Sequence, residues 1–430
     1  MKQVIQTRTF PAIDFLPEEL GQLKEALLRA VASYPYVGWF DNCESEIDRY
    51  GQYELRVGIS RLSPITEWEH LRNREWMGLI PYELKSRFEG RLISENPAWI
   101  DWPEVAAFQP EVVFEIRRNQ HQMEIRGKEA LIEQILKQLG DWRKAPHWER
   151  PEGSVPTFQT TIDQADYLSD IHRCRELIEE GEFYEINLSQ AFLAEGRLPE
   201  PAYWFQRLKE ISPVPFASFL KFDQKYLLCA SPERFLQLQG NRLLSQPIKG
   251  TAPRDPNPAQ DQLNRSHLSE SIKERAENVM IVDLTRNDLY RSSETASVEV
   301  PHLFEIQAFP QVYQMVTSVT GRKRPSVSPS DAIANTFPPG SMTGAPKVRS
   351  ARYIDQFEHF ARGAYAGSLG YGLPNGDFDL NVIIRTLAYD ADAERLSYHV
   401  GGAITYDSDP LQEYEETLIK ARALRKLLES

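Results

Sequence analysis

The sequence predicts an α+β fold: antiparallel sheets with helices on their outer faces. Three observations carry that reading. Segments with helical spacing alternate with short β-rich runs along the 430 residues. The β-rich runs come in pairs with short turns between them, as at Phe216 to Phe222 and Tyr226 to Ala230. Such pairs suit antiparallel neighbours, whereas a doubly wound parallel sheet needs a crossover between strands. Charged residues make up 26% of the chain and the hydrophobic class 41%, a globular composition.

The elements follow in order. Leu16 to Ser33 reads as a helix with Pro17 near its start. Glu111 to Ile116 reads as a strand, and Lys128 to Leu139 as a helix closed by Gly140. Lys144 to Pro156 is polar and carries prolines, which reads as a linker. It divides the chain into regions 1–150 and 151–430. Length favours two or three domains, although one interwoven domain also fits. Next come a helix from Ala165 to Glu180, a strand through Ile186-Asn187-Leu188 and a helix from Tyr203 to Ile211. After the strand pair, a long helix runs from about Ser266 to Met280. Later elements are a helix from Lys347 to Phe357, a strand from Val382 to Thr386 and a last helix from near Pro410.

Composition excludes several function classes. The balance of 49 basic and 62 acidic residues, net −13, argues against a general nucleic-acid binder. No apolar run approaches the roughly 18 residues of a membrane span. Met1 to Arg8 lacks the apolar run of a secretory signal. Cys43, Cys174 and Cys229 lie far apart, which excludes a disulfide framework or thiolate zinc site and fits a cytoplasmic protein. The eight histidines include no pair at i, i+4, so a helical two-histidine metal site is not expected.

Several residues carry chemistry. Glu270, Glu274 and Glu277 fall at i, i+4, i+7, on one face of the predicted long helix. Glu413 and Glu416 fall at i, i+3 on the last helix, and Lys420 follows Glu416 at i+4. If the two faces meet, their carboxylates form a hard-oxygen site of the kind Mg2+ prefers. The alternative is two solvated helix faces. Lys249, bracketed by Pro247 and Gly250, projects from a constrained turn. As a nucleophile it must lose its proton, which partial burial favours; otherwise it is simply solvated. Gly340 to Lys347, which includes Ser341, looks like a phosphate loop but lacks the lysine after its second glycine. It could still offer backbone N–H groups to a carboxylate. Gly401-Gly402-Ala403 permits close backbone approach to a ligand, or marks a strand bend. Arg385 interrupts an apolar strand and needs a partner, a ligand carboxylate or a protein acid. Tyr371, between two glycines, reads first as packing.

Together these blocks resemble the chorismate-utilising enzymes. The resemblance runs through Ser231 to Leu236, Pro247 to Thr251, Glu277 to Asp288, Thr343 to Lys347, Gly367 to Tyr371, Ile384 to Thr386, Gly401 to Ala403 and Glu413 to Glu416. It is strongest over about residues 160 to 430 and looser at Gly78 to Lys85. The branch it looks most like is aminodeoxychorismate synthase component I, a relative of anthranilate synthase component I. That resemblance implies two orthogonally packed antiparallel sheets around a cleft for chorismate and Mg2+. By motif position it implies Glu277 and Glu416 as metal ligands, with Glu274 and Glu413 as outer acids acting through water. It implies the ring carboxylate near Lys420 and the Gly250-Thr251 backbone. The enolpyruvyl carboxylate would meet Arg385, Tyr371 and the Gly401-Gly402-Ala403 backbone. Ser341 counts among the substrate-binding positions, Glu233 as general acid and Lys249 as nucleophile at C2.

Few residues assign the branch. Aminodeoxychorismate synthases carry lysine at the position of Lys249, and anthranilate synthases carry alanine. Isochorismate and salicylate synthases use a base lysine where Glu185 stands. Trp39-Phe40-Asp41-Asn42 is a degenerate match to the tryptophan-sensing motif of anthranilate synthases. Gln314 replaces a family histidine and cannot transfer a proton at neutral pH. No cysteine lies in a glutaminase nucleophile turn, so the resemblance implies a separate glutamine amidotransferase subunit as ammonia source. Two alternatives stand beside this reading: anthranilate synthase component I, and a catalytically silent chorismate-binding subunit.

Overall fold

A computed structural model describes residues 8–90, 92–153 and 155–429. Met1 to Thr7, where no signal is expected, and Ser154 of the expected linker lie outside the described residues. The frame is two antiparallel sheets. The larger runs in the order Arg8–Asp14, Gln122–Gly127, Val112–Arg117, Tyr53–Ser60, Tyr36–Asp41, Phe216–Phe222, Lys225–Ser231, Thr386–Asp390, Arg395–Ile404, Glu185–Glu195 and Gly344–Ala345. The second runs Ile248–Pro253, Val312–Arg322, Arg242–Gln246, Arg234–Gln239, Phe378–Val382, Ser368–Gly372, Trp76–Ile80 and Ala106–Phe108. Each sheet takes strands from both sides of residue 150; Trp39 pairs with Phe219 in the first and Gly78 with Gly370 in the second.

Burial explains the layers. Leu220, Leu227 and Cys229 of the first sheet meet Met77, Leu79 and Leu369 of the second in one apolar cluster. Full burial of such a side chain contributes about 1.5–3 kcal/mol. Gly38 lets the sheets approach, since a Cβ there would sit 2.9 Å from Met77 Cβ. Helices Leu20–Val31, Glu129–Leu139 and Pro201–Ile211 cover the other face of the first sheet. Ile272–Tyr290 and Pro329–Thr336 cover the second. Among the described residues, no helix is long and apolar enough to cross a membrane.

Two predicted elements are broken, each by a local event. The helix expected from Ser266 to Met280 is two helices, Pro258–Glu270 and Ile272–Tyr290. Ser271 between them is extended, and its hydroxyl accepts the Glu274 N–H at 3.3 Å as an N-cap. Glu270 therefore ends the first helix and does not share a face with Glu274 and Glu277. The strand expected from Val382 to Thr386 is also interrupted. Phe378–Val382 belongs to the second sheet and Thr386–Asp390 to the first, with Arg385 at φ 53° between them.

Candidate active site

The chain crosses between the sheets twice in one place. Lys225–Ser231 leads into Arg234–Gln239, and Phe378–Val382 leads into Thr386–Asp390. The crossings are bonded to each other: Val382 N–H donates to Glu233 O at 3.0 Å, and Ala230 N–H to Arg385 O at 3.2 Å. Glu233 and Arg385 are thus delivered together from segments far apart in sequence. Glu233 is buried, and Ser341 Oγ donates to its Oε1 at 2.6 Å. Burial pushes the Glu233 carboxyl up to about 7, against the opposing effects of Ser341, Lys249, Ile248 N–H and Arg385. Burial also pulls Arg385 down to about 10, with Glu233 as the opposing charge. The charge expected to need a partner therefore faces Glu233 from the second crossing.

Lys249 sits in the strand Ile248–Pro253, not in a turn as expected. The strand pairs with Val312–Arg322, and its register shifts between Ile248 and Thr251, where Gly250 takes φ 94°. That irregularity carries the local kink that proline and glycine suggested. The Lys249 side chain is buried, and its Nζ donates to Glu185 Oε1 at 2.6 Å. Asn278, held by Thr317 Oγ1 at 2.7 Å, donates to Lys249 O at 3.4 Å. The expected depression of the lysine pKa is not found. Burial does pull it down, but Glu185, with Glu277 and Glu233 behind it, holds Lys249 above its ordinary value.

The acidic helix faces do meet. Lys273 Nζ lies 3.9 Å from Glu277 Oε1 on Ile272–Tyr290 and 3.9 Å from Glu413 Oε1 on Pro410–Lys420. Burial raises Glu277 to about 7, and Glu274 and Glu185 add to it. Glu274 and Glu413 are raised by burial and then by the charge of Glu416 among others. Glu416 itself is lowered by Lys420, 2.7 Å away. Lys420 also donates to Gly401 O at 2.9 Å. Gly250 lies under this group, since a Cβ there would sit 2.9 Å from Glu274 Oε2. Gly401 is required by packing, because a Cβ would come within 2.6 Å of Leu188 O. Gly402 faces Glu413, whose Oε2 would lie 3.4 Å from an added Cβ. Ala403 pairs with Asn187, and Thr251, exposed, pairs with Gln314.

Glu416 raises the pKa of Glu274 from the other helix, and carboxylates crowded in this way suit a bound cation. Among the described residues, no three His, Cys, Asp or Glu stand grouped as a metal site. Mg2+ commonly takes only one or two protein carboxylates and keeps its waters, so the four glutamates fit that ion.

Tyr371, expected at the enolpyruvyl carboxylate, packs between the two sheets. Its ring packs at 5.2 Å from Phe40 and 6.0 Å from Tyr53, with Arg56 over it at 5.0 Å. It shares a separate cavity with Asp48, Arg56 and Asp379 rather than the cleft of Lys249. The cause is strand alternation: Leu369 and Tyr371 point to one face, into the space between the sheets.

Other residues were missed. Arg362 is buried, pairs with Glu358, and donates to Met342 O at 2.6 Å and Asn187 O at 2.8 Å. Asn187 in turn donates to Ser341 O at 3.4 Å, so this network supports the hydroxyl on Glu233. The i, i+4 spacing of Glu358 and Arg362 was its available signal. Lys347 is buried against Asp288 at 2.6 Å and the carbonyls of Thr336 and Pro338, so it braces the loop.

The family described as chorismate binding enzyme matches residues 32–426. Aminodeoxychorismate synthase from Streptomyces griseus is 37% identical over 368 residues, 83% of this chain and 50% of that protein. Aminodeoxychorismate synthase component 1 from Escherichia coli is 34% identical, covering 82% of this chain and 76% of that one. Anthranilate synthase component 1 3 from Haloarcula marismortui is 38% identical over 63% of this chain and 53% of its own. The chain spans between 30% and 50% of the length of Streptomyces and Arabidopsis thaliana relatives that it matches. Among solved structures, anthranilate synthase component I from Streptococcus pneumoniae superposes with TM-score 0.74 at 24% identity, covering 98% of this chain and 93% of that one. The menaquinone-specific isochorismate synthase from Escherichia coli gives 0.76 at 18%, covering 99% and 95%. These two establish the fold.

Proposed function

The chain belongs to the chorismate binding enzyme family, and on that premise we propose that it aminates chorismate at C4 as an aminodeoxychorismate synthase component I. The observation that carries this reading is Lys249. It is buried within reach of the charge of Glu233, another buried group, whose carboxyl burial pushes up to about 7. That pairs a nucleophile with an acid, which amination through a lysine adduct needs.

Arg385 binds the enolpyruvyl carboxylate, together with the Gly401-Gly402-Ala403 backbone. Lys420 and the Gly250-Thr251 backbone border the ring carboxylate, and Ser341 orients Glu233. Glu277 and Glu416 would hold Mg2+, with Glu274 and Glu413 acting through its waters. When bound, Mg2+ would supply positive charge that balances the ring carboxylate. Glu233 protonates the departing 4-hydroxyl while the Lys249 amine attacks C2, giving a lysine adduct and water. Ammonia then adds at C4 and expels Lys249, leaving the pyruvyl group in place. Gln314 supports retention of that group, because glutamine offers no proton transfer. Ammonia comes from a separate glutamine amidotransferase subunit, and the reaction feeds para-aminobenzoate and folate synthesis in the cytoplasm.

The test is product analysis after incubation with chorismate, Mg2+ and ammonium. A product that a lyase converts to para-aminobenzoate is expected. Anthranilate with free pyruvate would replace this reading with anthranilate synthesis. Tight chorismate binding without turnover, with and without a glutaminase, would replace it with a silent subunit.

A further inference from the structure

We propose that Glu185 is a catalytic residue of this amination: it takes the proton from Lys249 and so readies the amine for attack. The proposal rests on the role given to Lys249 above. Glu185 has no solvent exposure, and its Oε1 lies 2.6 Å from Lys249 Nζ. Among the described residues, its buried Oε2 has no hydrogen-bond partner. Leaving such an oxygen unsatisfied is destabilising, and one further bond would have relieved it. The backbone here is held rigidly. Glu185 pairs with Ala345 across the strands, and its carbonyl accepts from Ser350 Oγ at 3.1 Å. The carboxylate therefore sits fixed on the atom that must react.

A lysine kept as an ammonium ion is no nucleophile. Glu185, Glu277 and Glu233 are the charges that act on Lys249 to keep it protonated. Of these, Glu185 makes the hydrogen bond. Transfer of one proton along it leaves a neutral amine and a neutral acid, both easier to bury than the ions. The steps balance. Glu185 takes the Lys249 proton, and the amine electron pair forms the bond to C2. Both ring double bonds shift, C1=C2 to C1=C6 and C5=C6 to C4=C5, and the C4–O bond breaks with the Glu233 proton, releasing water. Ammonia attack at C4 reverses the shift and expels the neutral lysine, which recovers its proton from Glu185. The new ammonium group at C4 returns one proton to Glu233.

Glu185→Gln keeps the size and the oxygen facing Lys249 but removes the basicity. The expected result is a kcat lower by roughly a hundredfold at pH 7, with the KM for chorismate within about twofold. Glu185→Asp, still basic, should recover part of the rate. A mere anchor predicts the opposite. Without the carboxylate charge Lys249 sheds its proton more easily, so a Glu185→Gln rate at or above wild type overturns the proposal. A measurement on the unaltered protein covers the case in which the variant fails to fold. The rate of adduct formation should fall above about pH 7 as Glu233 ionises. If solvent had to take the lysine proton, the growing amine fraction would offset that fall, and a plateau would overturn the proposal. Lys249→Ala separates the two readings. Wild-type turnover in that variant removes the role given to Lys249; an inactive Lys249→Ala beside an active Glu185→Gln removes only Glu185.

Discussion

The floor and the rim of the cleft are built on opposite terms. On the floor, Lys249 is tied to Glu185 at 2.6 Å and Glu233 to Ser341 at 2.6 Å. Each group is buried and has a dedicated partner. On the rim, burial raises the pKa of Glu274, Glu277 and Glu413; the Glu416 charge adds to it at Glu274 and Glu413, and Glu274 and Glu185 add to it at Glu277, while Lys273 reaches two of the glutamates only at 3.9 Å. The floor is preorganised for bond making. The rim gathers carboxylates from two helices with too few positive charges close by. The difference teaches that the two parts of the site are held by different physics: desolvated pairs in one place, unbalanced charge in the other.

Variants can break this comparison. Lys249→Ala carries the largest expected effect, a fall in kcat of about a thousandfold, within the range for a lost nucleophile or acid–base group. Chorismate binding followed by calorimetry should survive, because the anion contacts lie elsewhere. Arg385→Lys comes next. Losing a bidentate fork should raise the KM for chorismate about tenfold to a hundredfold, with a smaller change in kcat, measured by steady-state kinetics.

Glu277→Gln tests the rim through stability. Its folded pKa of about 7 exceeds the ordinary 4.5, so the ionised form destabilises the fold increasingly as pH rises from 4.5 through 7. Without Mg2+, the variant should be more stable than wild type by about 1–3 kcal/mol at pH 8 and by less than about 1 kcal/mol at pH 5. Thermal unfolding at the two pH values measures this. Added Mg2+ should stabilise the wild type more than the variant. Tyr371→Phe should have the smallest effect, less than about a twofold change in chorismate KM, since the ring belongs to another cavity. A large change would join that cavity to the cleft.

Local pattern exposed part of this. The strand pair Phe216–Phe222 and Lys225–Ser231 could be read from its short turn, and it forms in register. The spacings of Glu274 with Glu277 and of Glu413 with Glu416 placed each pair on a helix face, and the structure sets those faces together. What stayed hidden depends on distant neighbours or on one capping hydroxyl. Ser271 splits a helix that the sequence pattern reads as one. Arg385 bends because two sheets must be joined there. The protonation of Lys249 is set by Glu185, 64 residues earlier in the chain. Tyr371 packs between the sheets, and which face a strand residue takes is decided by packing.

The central claim is that Lys249 attacks the substrate. It is tested most directly by intact-mass and peptide analysis of protein mixed rapidly with chorismate and Mg2+ in the absence of ammonia. The account predicts a species heavier by chorismate less one water, located on Lys249 and discharged to aminated product when ammonium is added. Product formation at the wild-type rate by Lys249→Ala, with no adduct on the native lysine, would contradict it.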